Sequence, residues 1–397
     1  MSRLRAVAAA LTLGAPFAAT AADITRVASS FEDEDPFGLF VDVGFEHTQR
    51  HTKILRDGFT GVGGTRQLRP ELQYAQYNTQ LNIDVAAGIS RDVEFSFGMP
   101  VVLFRYERLN VSDELNANGS VRDIVDGPRS AYRAGLGNAR FGLAWAVFNQ
   151  KKDDTKPTWV VRIDYEAPTA PRLDPSQATS GEGSSWSGVG DRVHKYTLST
   201  ALSREIGVAE PYFKAYYTIP VRGPGAYSNC ESPEKHLGAP QNCGSADWSR
   251  KETGIQAPMQ LGVLFGSEFE IYNQNQRKLD LDVRAIGNYV GAGRYYNELS
   301  VPLQKLAATG DYLQFGGRLA LKAWVNSILS VRASGQFLYN TDHVLTNEQP
   351  GRDTDGDGTE DVTGNPNYTP SFDSPGNRFY ASQSKDLRFD VTAIFTF

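Results

Sequence analysis

The chain has 397 residues, 40% of them hydrophobic, and a formal net charge of −6. No apolar run reaches about 18 residues, so the sequence predicts no membrane-spanning helix. No basic stripe marks a nucleic-acid surface, so we expect no nucleic acid as a partner. Gly (38), Tyr (18) and Phe (21) are plentiful, whereas Met (3) and Cys (2) are scarce. Strands of a membrane barrel dilute hydrophobicity in this way, because every second residue faces water.

Residues 1–21 have the pattern of a secretory signal peptide. Arg3 and Arg5 supply the charged start, residues 6–18 the apolar segment, and Ala-Thr-Ala at 19–21 the cleavage site. No Cys lies near that site, so we expect no lipoprotein. Export makes disulfide bonds permissible.

Residues 22–36 are polar and acidic and end at Pro36. We predict a short periplasmic N-terminal segment here, too short for a plug domain and without a role of its own. The barrel is then predicted to occupy residues 37–397.

Twelve segments of alternating polarity follow in chain order. Each places apolar side chains on one face of an extended strand and polar ones on the other, as where Leu81 and Ile83 flank Asn82. The predicted strands are 37–48, 76–89, 92–106, 138–148, 157–167, 192–204, 210–221, 257–271, 277–290, 311–323, 327–341 and 380–397.

The connections between these strands alternate in length. The long ones are 49–75, 107–137, 168–191, 222–256, 291–310 and 342–379, and the connections between them are short. Outer-membrane barrels sort their connections in this way, with long loops outside, short turns in the periplasm and an even number of strands. A soluble sandwich has no reason to do so.

Aromatic side chains on the apolar face fall at two heights. Beside long loops lie Tyr165, Tyr217, Tyr289 and Tyr339, and at the opposite end lie Trp145, Trp159, Phe395 and Phe397. Amphipathic rings prefer the two interfaces of a membrane. The sequence therefore predicts an all-β fold, a transmembrane antiparallel up-and-down β-barrel of about twelve strands in the lipid of a Gram-negative outer membrane.

The closing strand alternates over residues 387–397 and ends on the aromatic Phe397. It resembles the terminal strand that the barrel-assembly machinery recognises, so we expect that machinery as a partner.

Charged residues recur on the polar face, which lines the lumen of such a barrel. We expect the following to form a charge ladder: Asp42, Glu46, Asp84, Glu94, Asp280, Asp282, Arg284, Arg318, Arg332 and Arg388. Closure brings the last strand beside the first, so unlike charges should meet across the seam and narrow the passage. The alternative is that these charges only hold the strands in register.

An acidic segment in the last long loop has calcium-loop spacing. Its candidate metal ligands are Asp353, Asp355, Asp357, Thr359 and Asp361. Hard cations need several oxygens converging from a tight turn, and the segment resembles the calcium loops of EF-hand and thrombospondin type-3 repeats. The twelfth position is Gly364 rather than Glu, and the alternative is a solvated acidic loop. If it is real, the site would hold a structural Ca²⁺.

Cys230 and Cys243 lie in one predicted outer loop. In an exported protein such a pair predicts a disulfide that constrains the loop.

An enzyme would need a nucleophile and a base. The five histidines (His47, His51, His194, His236 and His343) never occur in the His-x-Ser-Asn motif of outer-membrane phospholipase A, a twelve-stranded barrel. His194 has Asp191 and Ser185 nearby, but its alternation places it on the lipid face. The sequence predicts no enzyme.

Three segments carry a family resemblance. Residues 135–143 (GLGNARFGL) resemble the G-x-G-D-x-x-x-G-L segment of the outer-membrane family named for the meta-pathway of phenol degradation, with Asn138 in place of Asp. Residues 188–191 (GVGD) resemble its repeat, and the strand with Gly98-Met99-Pro100 resembles a strand of that family that carries a Pro. The resemblance covers about 76–222 and the closing strand.

What the resemblance implies is a channel-like barrel for uptake of small aromatic or other hydrophobic compounds. The likeness to fatty-acid channels is more distant, because no N-terminal hatch is predicted. The alternative hypothesis is a structural or surface-interaction barrel, adhesin-like, with the calcium loop outside. The sequence does not name the small-molecule solute.

Overall fold

The computed structural model describes residues 22–28, 37–59, 66–112, 129–176, 188–274 and 277–397. Within these ranges, none of the helices has the length and apolar character needed to cross a membrane. The predicted signal peptide, residues 1–21, lies outside the described residues, and so do residues 29–36.

Almost all of the regular structure is strand. In chain order the strands are β1 Leu39–Phe59, β2 Arg66–Ser90, β3 Val93–Val111, β4 Ser130–Leu136, β5 Arg140–Phe148, β6 Thr158–Glu166, β7 Val193–Ser203, β8 Ala209–Arg222, β9 Gln260–Gln274, β10 Arg277–Val290, β11 Gly293–Tyr295, β12 Ala307–Thr309, β13 Tyr312–Trp324, β14 Leu329–Asn340, β15 His343–Val344, β16 Gly351–Arg352, β17 Val362–Thr363 and β18 Phe379–Thr396. Short helical turns occupy Asn229–Glu231, Pro233–His236, Pro240–Asn242, Ser300–Leu303 and Pro370–Asp373.

The long strands close into one antiparallel barrel. Its order is β1-β2-β3-β5-β6-β7-β8-β9-β10-β13-β14-β18, and β18 pairs back with β1. β4 pairs with β3 above β5, so β4 and β5 share one position in the wall. The predicted fold class, a twelve-stranded antiparallel barrel, is confirmed.

The outer surface of this barrel is apolar. Large side chains stand exposed along its strands, among them Phe45, Ile163, Leu198 (55% exposed) and Leu319 (58% exposed). A soluble protein rarely exposes an apolar patch of this extent, whereas a lipid-facing band requires one. The closed sheet and its apolar outer face together make this a transmembrane barrel.

Strand boundaries agree well for β10, predicted and observed at 277–290, but less well near the amino end. β1 and β2 extend through much of the predicted loop 49–75, and β4 lies within the predicted loop 107–137. Beyond residue 46 of β1 the outward residues become polar, as with His47 and His51, while Ile54 is buried inside. In this part of β1 the apolar side chains point inward instead of outward. A search for strands with an apolar outer face therefore ends the predicted strand too early.

The segment 22–28 lies inside the barrel. Ala22, Thr25 and Val27 are fully buried, and Asp23 pairs with cations of β13 and β14. The first seven residues of the predicted periplasmic segment, 22–28, thus lie within the lumen. The partners of Asp23 lie about 300 residues further along the chain, where no local pattern points to them.

Candidate functional site

A cavity of about 1030 Å³ lies within the barrel. At one end it is lined by Asp23 and Arg26 of the N-terminal segment, and at the other by Tyr295, Tyr296 and Tyr312 beneath the outer loops. Between these ends the lining is rich in charged side chains, because the inward face of each strand carries the polar half of its alternation.

All ten charged residues of the predicted ladder belong to ion pairs. The pairs that bridge different parts of the chain are Glu46–Arg388 (2.7 Å), Asp84–Arg140 (3.0 Å), Glu94–Arg162 (3.3 Å), Arg318–Asp390 (3.0 Å), Arg332–Asp23 (2.9 Å) and Asp42–Arg26 (3.9 Å). Along β10, Asp280 pairs with Lys278 and Asp282 with Arg284. Of the ladder residues, Asp42, Asp84 and Glu94 line the cavity, and so do their partners Arg26, Arg140 and Arg162.

The seam of the barrel carries one of these pairs. Glu46 of β1 accepts from Arg388 of β18 at 2.7 Å, as expected of unlike charges brought together by closure. Sequence reasoning missed Asp23 and Arg26, which complete the ladder from inside. The only signal in the sequence was the presence of one acid and one base just after the predicted cleavage site.

The barrel wall is interrupted beside β3. Pro100 has no N–H to donate, and the facing chain breaks between β4 and β5 at residues 137–139. One hydrogen bond spans the break, from Gly137 N to the Pro100 carbonyl at 2.8 Å. A Cβ at Gly137 would lie 2.6 Å from Pro100 Cγ, so only glycine allows this approach.

This interruption is where two of the family-like segments meet, 98–100 and 135–143. Gly98, Pro100, Gly137 and Asn138 all line the cavity. Asn138, which stands where the family segment has Asp, donates to Glu166 at 2.8 Å and accepts from the backbone of Ala170 at 3.1 Å. The segment therefore shapes both the wall and the lining at this height.

The outer loops are held together by buried polar contacts. Arg294 donates in bidentate fashion to Glu348 and also to the carbonyls of Glu252 and Gly254. These bonds link the loop that carries Arg294 to two other outer loops. The loops beside the cavity are thereby connected to one another.

A second buried cation holds the last loop. Lys305, 1% exposed, donates to the Asn367 carbonyl at 2.7 Å and lies 3.6 Å from Asp373. Burial lowers the pKa of Lys305, and the negative charge of Asp373 opposes that change. Burial likewise raises the pKa of Asp373.

The acidic loop between β16 and β17 brings three of its five predicted ligands together. Carboxylate oxygens of Asp353, Asp355 and Asp361 lie within 4.8 Å of one another. Asp357 lies outside this set of carboxylates, and its Oδ1 accepts a hydrogen bond from the Thr359 hydroxyl. Backbone N–H groups of the loop and the Thr354 hydroxyl lower the pKa of the Asp353 and Asp361 carboxyls, so these remain anionic.

Cys230 and Cys243 form a disulfide, with their Cα atoms 5.5 Å apart. It closes a short loop next to the buried Asn229, which bonds to Leu306 and Asn367 of two other outer loops.

The histidine considered as a catalytic base has other partners. His194 Nδ1 lies 2.8 Å from the Tyr165 hydroxyl. Asp191 accepts from the backbone of Val193 at 3.1 Å and pairs with Lys195 at 3.1 Å. Ser185 lies outside the described residues. The structure thus does not join His194 to Asp191.

No family model matches the chain, and no curated protein matches it. Among solved structures, an outer-membrane channel from Pseudomonas putida F1 is similar at 8% identity and a TM-score of 0.44, over 90% of this chain and 95% of that one. A FadL homologue from Pseudomonas aeruginosa is similar at 10% identity and 0.37, over 93% and 92%. The outer-membrane protease OmpT from Escherichia coli is similar at 10% identity and 0.32, over 92% and 99%. Such distant likenesses carry no functional argument, and the phenol meta-pathway resemblance stays a prediction.

Proposed function

We propose that this chain is an outer-membrane channel for uptake of small aromatic or other hydrophobic compounds. The observation that carries the proposal is the cavity of about 1030 Å³ inside a closed barrel with an apolar outer face. A cavity of about 300–1,000 Å³ is the usual size for a small-molecule site. Three tyrosines at its outer end, Tyr295, Tyr296 and Tyr312, offer aromatic faces to an entering solute.

The paired charges then restrict what passes. Because acids of the lining pair with bases of the lining, as Asp84 does with Arg140 and Glu94 with Arg162, the lining presents no strong excess of either charge to a solute. A neutral compound crosses such a lumen without displacing a counter-ion. The N-terminal segment lies across the far end of the cavity, so passage to the periplasm requires it to shift.

Reconstitution into liposomes or a planar bilayer tests this function. The solutes are a phenol, a fatty acid and a sugar, with empty liposomes as the control and heat-modifiable migration as the check of folding. We expect the phenol to permeate faster than the sugar. Phenol flux equal to that of empty liposomes, with no conductance from folded protein, would reject the channel.

A second candidate function is a surface-interaction barrel with a structural Ca²⁺ in its acidic loop. The outer loops favour it, because Arg294, Lys305 and the disulfide cross-link them. Specific adhesion that disappears when Ca²⁺ is chelated, from a barrel that passes no solute, would select this function.

We further propose that the barrel-assembly machinery inserts this chain into the outer membrane through β18 and Phe397. Phe397 is 66% exposed beside the paired strand, where another protein can reach it. Changing Phe397→Ser should lower the amount of heat-modifiable barrel in cells, while Phe337→Ser, on the same outer face but in β14, should lower it less. Equal amounts from the two variants would remove the special role of Phe397.

A further inference from the structure

Two carboxylates inside the barrel differ from the rest of the lumen acids. Glu210 of β8 and Glu268 of β9 are direct cross-strand partners, and like charges placed opposite each other are unfavourable. Among the described residues, neither has a Lys or Arg ion-pair partner, whereas the predicted ladder acids all have one. Lys322 attracts Glu268 and Lys278 attracts Glu210, but among the described residues no Lys or Arg nitrogen lies within ion-pair distance of either carboxylate.

Both carboxylates instead hold the start of the described chain. The Asp23 N–H donates to Glu268 Oε1 at 2.8 Å, and the Ala22 N–H donates to the Glu210 carboxylate. Ala22 itself is fully buried. Next to it, the Thr25 hydroxyl lies 2.7 Å from Ser203 Oγ, which also bonds to Glu210.

The nitrogen at Ala22 is the one that cleavage would expose. The predicted signal peptide ends at Ala21. Cutting there converts the Ala22 amide into an α-ammonium group, with a full positive charge and an ordinary pKa of about 7.7–8.0. The new cation then lies where the two carboxylates lack one.

We propose that Glu210 and Glu268 are the docking site for the protein's own mature α-ammonium group, resting on the predicted cleavage after Ala21. Hydrogen bonds between charged groups are about twice as strong as neutral ones, so removal of the leader strengthens the contact that the amide makes. Two other contacts orient the segment: Asp23 pairs with Lys322 at 2.7 Å, and the Ala28 N–H donates to Glu94 at 2.8 Å. Signal-peptide removal thus locks residues 22–28 into the lumen.

Acylation of the α-amine tests this docking without measuring transport. Folded protein in detergent is treated with an acetylating N-hydroxysuccinimide ester near pH 7, and the N-terminal peptide is quantified by mass spectrometry. We expect the peptide to begin at Ala22. A paired ammonium with its pKa raised by one unit reacts about tenfold more slowly than the same amine in unfolded protein. Exposed Lys53 serves as the internal reference.

The variant Glu210→Gln/Glu268→Gln should lose this protection, while Glu205→Gln, an exposed acid in the preceding turn, should keep it. If the double variant does not fold, a form refolded with Gly-Ser before Ala22 replaces it, and its displaced amine should react at the unfolded rate. A mature chain that begins elsewhere would overturn the proposal. So would a wild-type amine that reacts freely, or protection that survives both changes. The channel function stands or falls separately, in the liposome assay.

Discussion

Lys322 Nζ donates to Asp23 Oδ1 at 2.7 Å, although 299 residues separate them in the chain. The same carboxylate accepts from Arg332 at 2.9 Å. Two neighbouring strands, β13 and β14, thus bind one aspartate of the N-terminal segment. Asp23 is the residue through which this segment is tied to the barrel wall.

Changing Asp23→Ala should loosen the segment and raise conductance. Both cations lose their shared partner, and leaving buried charge uncompensated costs about 3–5 kcal/mol. Single-channel recording in planar bilayers measures the result, with Asp153→Ala in an exposed turn as the matched control. Conductance equal to that of the control would show that residues 22–28 do not limit the passage.

Changing Arg318→Ala should widen the lumen at the height of β13. It removes the guanidinium that holds Asp390 at 3.0 Å, and the loss of one partner of this buried pair should destabilise the barrel by about 3–5 kcal/mol. Arg332→Ala should act in the same direction and also remove one of the two cations that hold Asp23. Solute flux and the temperature of band conversion on unboiled gels report the two effects. Arg91→Ala, exposed at a turn, is the control. Flux equal to that of the control would show that the ladder charges only hold the strands in register.

The acidic loop gives a direct comparison between its residues. Asp353→Asn and Asp361→Asn should abolish Ca²⁺ binding, because both lie in the converging set, whereas Asp357→Asn should weaken it less. Isothermal titration measures the heats, with Glu360→Gln as the control. Equal heats from all four variants, or none from the wild type, would leave the loop a solvated acidic turn.

The same loop should keep its order well below neutral pH. Hydrogen bonds hold the pKa values of Asp353, Asp357 and Asp361 below their ordinary value. A carboxyl whose pKa is lower in the folded loop stabilises it above the unfolded pKa of about 3.9, and that stabilisation is lost as pH falls through the lowered pKa. NMR or proteolysis of the loop should therefore show little change between pH 7 and about pH 5. Loss of order near pH 6 would contradict these shifts.

Changing Gly137→Ala should strain the wall interruption. The new methyl group would meet Pro100 Cγ at 2.6 Å, and overpacking of this kind costs about 1–3 kcal/mol. Gly58→Ala in β1 is the control, since a Cβ there meets only the Gln67 carbonyl, at 3.9 Å. The temperature of band conversion should fall for Gly137→Ala alone. An equal fall in both variants would show that the effect comes from replacing any glycine and not from the contact with Pro100.

Periodicity was enough to predict the barrel, because lipid and lumen impose opposite demands on alternate residues. The run through Leu281 and Val283 marks β10 without ambiguity, and closure of the barrel brought Glu46 within 2.7 Å of Arg388. Where a strand rises beyond the lipid, as at Ile54, the outward face becomes polar and that signal ends. Contacts such as Asp23 with Lys322 depend on where the N-terminal segment lies inside the closed barrel. The alternation of the strands carries no information about that position.

The seam has a consequence for how the chain is made. The backbone of Leu39 exchanges hydrogen bonds with that of Phe397, at 3.0 and 2.9 Å. The first strand therefore cannot complete its pairing until the last strand has been synthesised. Until then the sheet has two open edges, and open edges pair readily with other chains. Contacts between such distant residues also form slowly. The protein is therefore most prone to aggregation in the interval between export and closure. A periplasmic chaperone that covers β1 would block pairing at that open edge.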